Sequence, residues 1–191
     1  MQCVKSHYTI EDSIKKSRFI GVLMPCLNEV EAGDYLKQYH LDHPNASHIT
    51  FAYRIKTGNG FISRFNDAGE PSGTAGKPIF QHLEGKELIN VLLVVIRYFG
   101  GIKLGAGGLT RAYSNTAKRV IEIAGLHPYI ECVEKRLTLD YKQMQMFEYL
   151  LKKLDGEIIS QDFAEQIHLT ILLPKHNLKE LTESFIGLYS V

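Results

Sequence analysis

The sequence contains few of the residues that cross-link a chain or anchor it in a membrane. Its three cysteines, Cys3, Cys26 and Cys132, are far apart and form no Cys-x-x-Cys pair, which favours reduced thiols over a disulfide framework. The longest apolar run, Val91 to Ile96, is far too short to span a bilayer, and the N-terminus shows no apolar signal core. We therefore expect a cytoplasmic protein that does not contact a membrane.

The chain also lacks an excess of charge of either sign. Its 191 residues include 22 basic and 21 acidic side chains, so the formal net charge is +1. This balance gives no general electrostatic attraction to nucleic acid, and any such binding would depend on a local patch. The apolar content of 45% and charged content of 23% are ordinary for a soluble globular protein with one large or two small domains.

Glycine, in contrast, is concentrated in two stretches. The first, Asp67 to Pro78, reads DAGEPSGTAGKP, and the second, Gly100 to Arg111, reads GGIKLGAGGLTR directly after the apolar run. Glycine loses more conformational freedom on folding than any other residue, so its clustering at a strand end indicates positive backbone dihedrals or close approach of another molecule. The two stretches therefore predict a binding surface.

The apolar periodicity predicts an alternation of strands and helices. Residues 90–99 are apolar on both faces, which is typical of a central strand covered on each side. The remaining elements expected before residue 128 are strands at 18–24, 49–55 and 60–65, the last two joined by a hairpin turn, and helices at 29–39, 78–85 and 109–124. Beyond residue 134 the pattern predicts a βαββα module.

A glycine loop that leads into a helix can bind an anion, because the first amides of a helix are unpaired and carry partial positive charge. Lys103 and Arg111 add cations to the second stretch. A dinucleotide fingerprint fails at Thr110, and a phosphate-binding loop of the Walker type fails at Pro71 and Pro78. Generic anion binding and a purely structural turn both remain open.

Side chains of the first stretch offer further chemistry. Ser72 lacks the Gly-x-Ser-x-Gly context of a hydrolase nucleophile, so we expect Ser72 and Thr74 to bond nearby backbone or cap a helix. Asp67 and Glu70 are candidates for an acid and base pair. Two acids in a polar loop are more often solvated or paired with nearby cations, here Arg64 and Lys77.

Histidines cluster before the second predicted strand, but they do not predict a metal site. His40, His43 and His48 have neither helical His-x-x-x-His spacing nor a nearby cysteine. His48 begins a strand that leads to Tyr53 and Arg54, so we expect it near the glycine stretches if those strands are neighbours.

Four segments of the first part of the chain resemble the YigZ/IMPACT family. They are Ser17 to Ile20, Ala46 to His48 with Ala52 to Arg54, Asp67 to Gly76 and Arg97 to Leu109. The resemblance extends from residue 17 to about residue 124, and the remainder is similar to the smaller C-terminal domain of bacterial members, itself similar to the ferredoxin-like fifth domain of elongation factor G.

The resemblance implies an α+β protein of two domains. Residues 1–130 would have the fold shared by the second domain of a small-subunit ribosomal protein and the GHMP kinases, an antiparallel sheet with helices on one face. Residues 131–191 would form a ferredoxin-like βαββα domain whose last strand, in Leu188 to Val191, is short or missing. Eukaryotic relatives are implied to regulate translation by competing for the activator of an amino-acid-starvation kinase.

Our leading hypothesis is a non-catalytic binding protein of the translation or stress machinery, without cofactor or metal, that contacts RNA, a ribosome-associated partner or a protein partner. It requires the two glycine stretches to converge with their amides free. The expected anion-binding or partner-binding residues are Ser72, Gly73, Thr74, Gly76, Arg97, Lys103, Gly105, Gly107, Gly108 and Arg111.

Two other readings remain open at this point. The first is an enzyme for a phosphorylated or carboxylated small molecule, with Asp67 or Glu70 handling protons and His48 assisting. The second is a docking module in which the glycine stretches are tight chain reversals only.

Overall fold

The computed structural model describes residues 1–185, and the chain divides into two compact units, Met1–Tyr129 and Ile130–Val191. The strand expected in Leu188 to Val191 lies outside the described residues.

The first unit is built on a five-stranded antiparallel sheet and a separate two-stranded ribbon. Its elements are β1 (Gln2–Val4), β2 (Tyr8–Ile14), β3 (Ser17–Pro25), α1 (Glu29–Asp42), β4 (His48–Thr57), β5 (Gly60–Asn66), α2 (Gly76–Gly85), β6 (Val91–Tyr98), α3 (Ala106–Ile123) and β7 (Leu126–Pro128). The strand order of the sheet is β2-β3-β6-β4-β5, and the ribbon pairs β1 with β7.

The central strand β6 is buried on both faces, as its unbroken apolar run predicted. On one face Val95 belongs to a core with Tyr113 of α3 and with residues of α2. On the other face Val94 belongs to a core against which Tyr35 of α1 packs. Helices therefore cover both faces of the sheet. The expectation of helices on one face was wrong, because the apolar run Val91 to Ile96 of this strand needs an apolar cover on each side.

Hydrogen bonds to the side chain of Asp67 fix the first glycine stretch. The Asp67 carboxylate accepts hydrogen bonds from the amides of Gly73 at 2.8 Å, Ala75 at 3.0 Å and Gly76 at 2.8 Å. The chain thus supplies its own anion to the N-terminus of α2. A Cβ at Gly76 would lie only 2.7 Å from the backbone nitrogen of Asn66, so glycine is required where α2 meets the end of β5.

The second unit is a smaller three-stranded antiparallel sheet with helices, in the order β8-β10-β9. Its buried core includes Phe147, Leu151 and Leu169. No helix within residues 1–185 is both long and apolar enough to cross a membrane. The elements are β8 (Cys132–Leu139), α4 (Met144–Lys153), β9 (Glu157–Phe163), β10 (Ile167–Pro174) and α5 (Leu178–Ser184), which is the predicted βαββα order.

The contact between α2 and β5 predicts opposite effects of alanine at the two ends of α2. Gly76→Ala should lower the free energy of unfolding by about 2 kcal/mol or more, because the added Cβ overlaps backbone. A Cβ at Gly85 would meet nothing within 4 Å. Gly85→Ala should therefore raise the free energy of unfolding slightly, by less than about 1 kcal/mol. Hydrogen exchange of β6 amides in urea measures the first unit separately, and equal protection in both variants would contradict the packing described.

The carboxylate of Asp67 generates a second stability prediction. Asp67→Asn replaces two acceptor oxygens by one, so at least one of three amides loses its partner, and we expect a loss of about 1–3 kcal/mol. Asp34→Asn, at an exposed ion pair with Lys37, should change stability by less than about 0.5 kcal/mol. Faster hydrogen exchange over residues 73–79 in the first variant, and not in the second, is the expected result.

Candidate functional site

The two glycine stretches meet at one cavity of about 340 Å³ in the first unit. Sheet topology brings them together: His48 at the start of β4 pairs with Arg97 near the end of β6, and the chain leaving β5 returns to this same end because β5 runs antiparallel to β4. The cavity is lined by His48, Glu70, Pro71, Arg97, Phe99, Lys103, Leu104, Gly105, Ala106 and Leu109.

Glu70 is a buried carboxylate at this cavity with three polar side chains around one oxygen. Its Oε1 accepts from Arg97 Nη1 at 2.6 Å and from the hydroxyl of Tyr113 at 2.7 Å, and His48 Nε2 lies 3.7 Å away. The side chains of Glu70 and Arg97 are 3% and 5% exposed. Glu70 is therefore not the solvated loop acid that its sequence context allowed, but half of a buried ion pair.

Several side chains fix Arg97, and one of its N–H donors has no acceptor among the described residues. Its Cζ lies 5.4 Å from the ring centroid of Phe19 and 5.5 Å from that of Phe99, and its Nη2 donates to Ser17 Oγ at 3.4 Å. Its buried Nε has no acceptor in the described part of the chain. A buried N–H without an acceptor is costly, so the contacts that fix the rest of this side chain must offset that cost.

Tyr113 serves Glu70 as a donor. Burial, followed by the hydrogen bond to the Glu70 carboxylate, raises the pKa of Tyr113 far above its usual range. The phenol therefore stays protonated and keeps donating to Glu70 across the physiological pH range.

His48 has one ring nitrogen fixed by the backbone. Its Nδ1 lies 2.9 Å from the carbonyl oxygen of Ala68, and since a carbonyl only accepts, Nδ1 carries the hydrogen. In the neutral ring Nε2 is then an acceptor, and it is turned towards Glu70. The cavity thus contains hydrogen-bond acceptors as well as the donors of Arg97.

The N-terminus of α3 forms the positive end of the cavity. Gly105 stands at the N-cap with φ 70°, a conformation that favours glycine, no side chain of residues 1–185 caps the helix, and its first turn has no acidic residue. The amides that open an α-helix have no acceptor within the helix and carry partial positive charge. Lys103, exposed at the same cavity, adds a full charge.

The predicted donors of the first glycine stretch are not free, and this expectation is corrected. The amides of Gly73 and Gly76 donate to Asp67. The hydroxyl of Thr74 donates to the carbonyl of Pro71 at 2.6 Å, and its amide donates to the same oxygen at 3.0 Å. Asp67, a predicted acid or base, is engaged by three amides and lies outside the set of described residues that line the cavity.

The other predicted residues separate into two groups. Arg97, Lys103 and Gly105 line the cavity, whereas Arg111 folds back so that its Nε donates to the carbonyl of Gly107 one turn earlier. The described residues that line the cavity do not include Ser72, Gly107, Gly108 or Arg111.

Sequence reasoning missed Ser17 and Phe99 as parts of this site. Ser17 Oγ accepts from the amide of Gly100 at 3.1 Å as well as from Arg97, so it ties the second stretch to β3. Both residues fall inside the segments that carry the family resemblance, which was the available signal. Residues 1–185 contain no group of three or more His, Cys, Asp or Glu placed to hold a metal ion.

Comparison with solved structures supports the fold. A protein described as "Crystal structure of an hypothetical protein" matches with a TM-score of 0.71 and 32% identity, covering 96% of this chain and 89% of that one. The distant relative Yih1, described as a two-domain translational regulator, matches with a TM-score of 0.39 and 23% identity over 61% of this chain and 45% of that one.

Comparison with protein families identifies both parts of the chain. The Impact N-terminal domain matches residues 15–121, and a domain of unknown function, DUF1949, matches residues 137–189. An IMPACT family member of Haemophilus influenzae is 37% identical over 188 residues, which is 96% of this chain and 91% of the relative. The chain therefore belongs to the IMPACT family.

Proposed function

We propose that this IMPACT-family protein is a binding protein that holds an anionic group of its partner in the cavity at the start of α3. One observation carries the proposal: the N-terminus of α3, which no side chain of the described residues caps and whose first turn has no acidic residue, lies at the same cavity as the exposed Lys103 and the Arg97 side chain. Helix amides and a guanidinium are both donors, and both favour a negative acceptor.

The charges around the cavity support an anion rather than a cation. Glu70 and Arg97 largely neutralise each other at 2.6 Å. The remaining contributions are Lys103 and the N-terminus of α3, which acts as about half a positive charge. The site is therefore locally positive, although the whole chain has a formal net charge of only +1.

Family membership supplies the biological setting of the proposal. We place the partner, RNA or protein, in the translation or stress machinery, as the resemblance of the sequence implied for eukaryotic relatives. The phosphate of RNA and the carboxylate of a protein side chain would use the same donors in the cavity.

Reversing one charge at the cavity should remove anion binding, whereas reversing a neighbouring charge should not. Lys103→Glu and Arg111→Glu change the net charge equally, but only Lys103 lines the cavity. Titration with inorganic phosphate, followed by amide NMR shifts of residues 106–108, should give a dissociation constant at least about tenfold weaker for Lys103→Glu, equivalent to about 1.4 kcal/mol. Arg111→Glu should stay within about twofold of the wild type.

Either of two results would overturn this proposal. The first is an absence of phosphate-dependent shifts at residues 106–108 in the wild-type protein. The second is equal weakening by the two charge reversals, which would show that the bulk charge and not the cavity governs binding.

The enzyme alternative now rests on one observation, the approach of His48 Nε2 to Glu70 within 3.7 Å beside the cavity. A base with an adjacent carboxylate is an arrangement used in general acid and base catalysis. Asp67 no longer contributes, because its carboxylate already caps the first loop.

An assay of phosphate release tests whether the protein only binds its ligand or also acts as an enzyme. On our proposal, purified wild-type protein releases phosphate from p-nitrophenyl phosphate and from nucleoside monophosphates only at the background rate. Release well above background that His48→Gln abolishes and Arg111→Glu preserves would favour the enzyme, since Gln keeps a polar side chain but removes the titratable ring.

A further inference from the structure

We infer that the cavity takes a nucleoside phosphate, with the phosphate at the start of α3 and the base against Phe99. This inference rests on the proposed function, because it uses the same anion subsite, and it goes further by naming the body attached to the anion. Three features carry it: the apolar walls of the cavity, the support of Phe99, and the acceptors at its floor.

The apolar lining of the cavity favours a ligand larger than a small anion. Pro71, Phe99, Leu104 and Leu109 line the cavity together with the charged groups. A bare phosphate would leave these apolar surfaces in contact with water, whereas a flat, weakly polar body would cover them. A cavity of about 340 Å³ lies at the small end of ligand sites and suits one nucleotide rather than a folded partner segment.

Phe99 is held in place although its ring is accessible. Its amide donates to Ser47 Oγ at 3.0 Å, and the next amide, of Gly100, donates to Ser17 Oγ at 3.1 Å. The guanidinium of Arg97 lies 5.5 Å from the ring centroid. Phe99 nevertheless remains 48% exposed. An accessible aromatic ring on a fixed backbone is the platform on which nucleic acid bases stack.

The floor of the cavity favours a nucleoside over an acidic peptide side chain. In its neutral form His48 presents Nε2 as an acceptor, and Glu70 presents a carboxylate. Ribose hydroxyls and the amino groups of bases are donors that match these acceptors. An acidic peptide side chain ends at its carboxylate, so with that group at the start of α3 the side chain has no donor left for these acceptors.

Comparing the affinities of related ligands shows how much the base and the phosphate each contribute to binding. Full-length protein is titrated with AMP, ribose 5-phosphate and inorganic phosphate, and binding is followed through the amide shifts of residues 106–108. We expect AMP to bind at least about tenfold more tightly than ribose 5-phosphate, because only AMP has a base to stack on Phe99. Two RNA oligomers, with and without a 5′-phosphate, identify the source of the nucleotide: tight binding of the phosphorylated oligomer indicates an RNA end, and binding of AMP alone indicates a free nucleotide.

Two phenylalanine variants assign the base subsite. Phe99→Ala should abolish the advantage of AMP while leaving the affinity for ribose 5-phosphate within about twofold. Phe61→Ala, at a ring that is 44% exposed on β5 and outside the described lining of the cavity, should leave both affinities unchanged. Urea midpoints equal to that of the wild type show that each variant is folded.

The possible results test the nucleoside inference and the proposed anion binding separately. Equal affinity for AMP and ribose 5-phosphate, or an AMP advantage that survives Phe99→Ala, overturns the nucleoside inference and leaves anion binding intact. An absence of shifts with all three ligands, inorganic phosphate included, overturns the proposed function itself.

Discussion

The buried ion pair between Glu70 and Arg97 is the interaction on which the site depends. It joins the loop after β5 to the end of β6, across 27 residues of sequence. Removing two charges from water is expensive, and only good geometry with further hydrogen bonds offsets that cost. Tyr113 supplies such a bond to Glu70, and Ser17 supplies one to Arg97. The loop is thereby fixed beside the start of α3, and the cavity has a definite floor.

The two glycine stretches show how one sequence signature gives two different helix ends. Each stretch leads into a helix, and each predicts an anion at the helix N-terminus. At α2 the anion is Asp67 of the chain itself, bound by three amides. At α3 neither a cap nor an acidic residue within the described chain takes this place. The first stretch is a structural turn that carries Glu70, and the second leaves the N-terminus of α3 without a side-chain cap in the described chain.

Sequence patterns were sufficient where the relevant forces are local. The periodicity of α3 and the apolar run of β6 predicted both elements, whereas β2 was missed because this edge strand includes Glu11, Asp12 and Ser13 and has a half-exposed pattern. The burial of Glu70 could not be predicted, since its partners Arg97 and Tyr113 are brought to it by tertiary structure. The apolar run of β6 already implied helices on both faces of the sheet. The expectation of helices on one face came from the fold that the family resemblance implied.

A local positive site on a nearly neutral chain restricts the kind of partner that it can select. Proteins that follow a nucleic acid backbone neutralise many phosphates and lose affinity steeply with salt. Here one lysine, one helix end and the ion pair of Arg97 with Glu70 lie at a single small cavity. Such a site neutralises about one charge, so its affinity should vary only weakly with ionic strength and should come mainly from desolvated, directional bonds. On our proposal, this geometry selects an isolated anionic group, such as a terminal phosphate, in preference to a continuous charged strand.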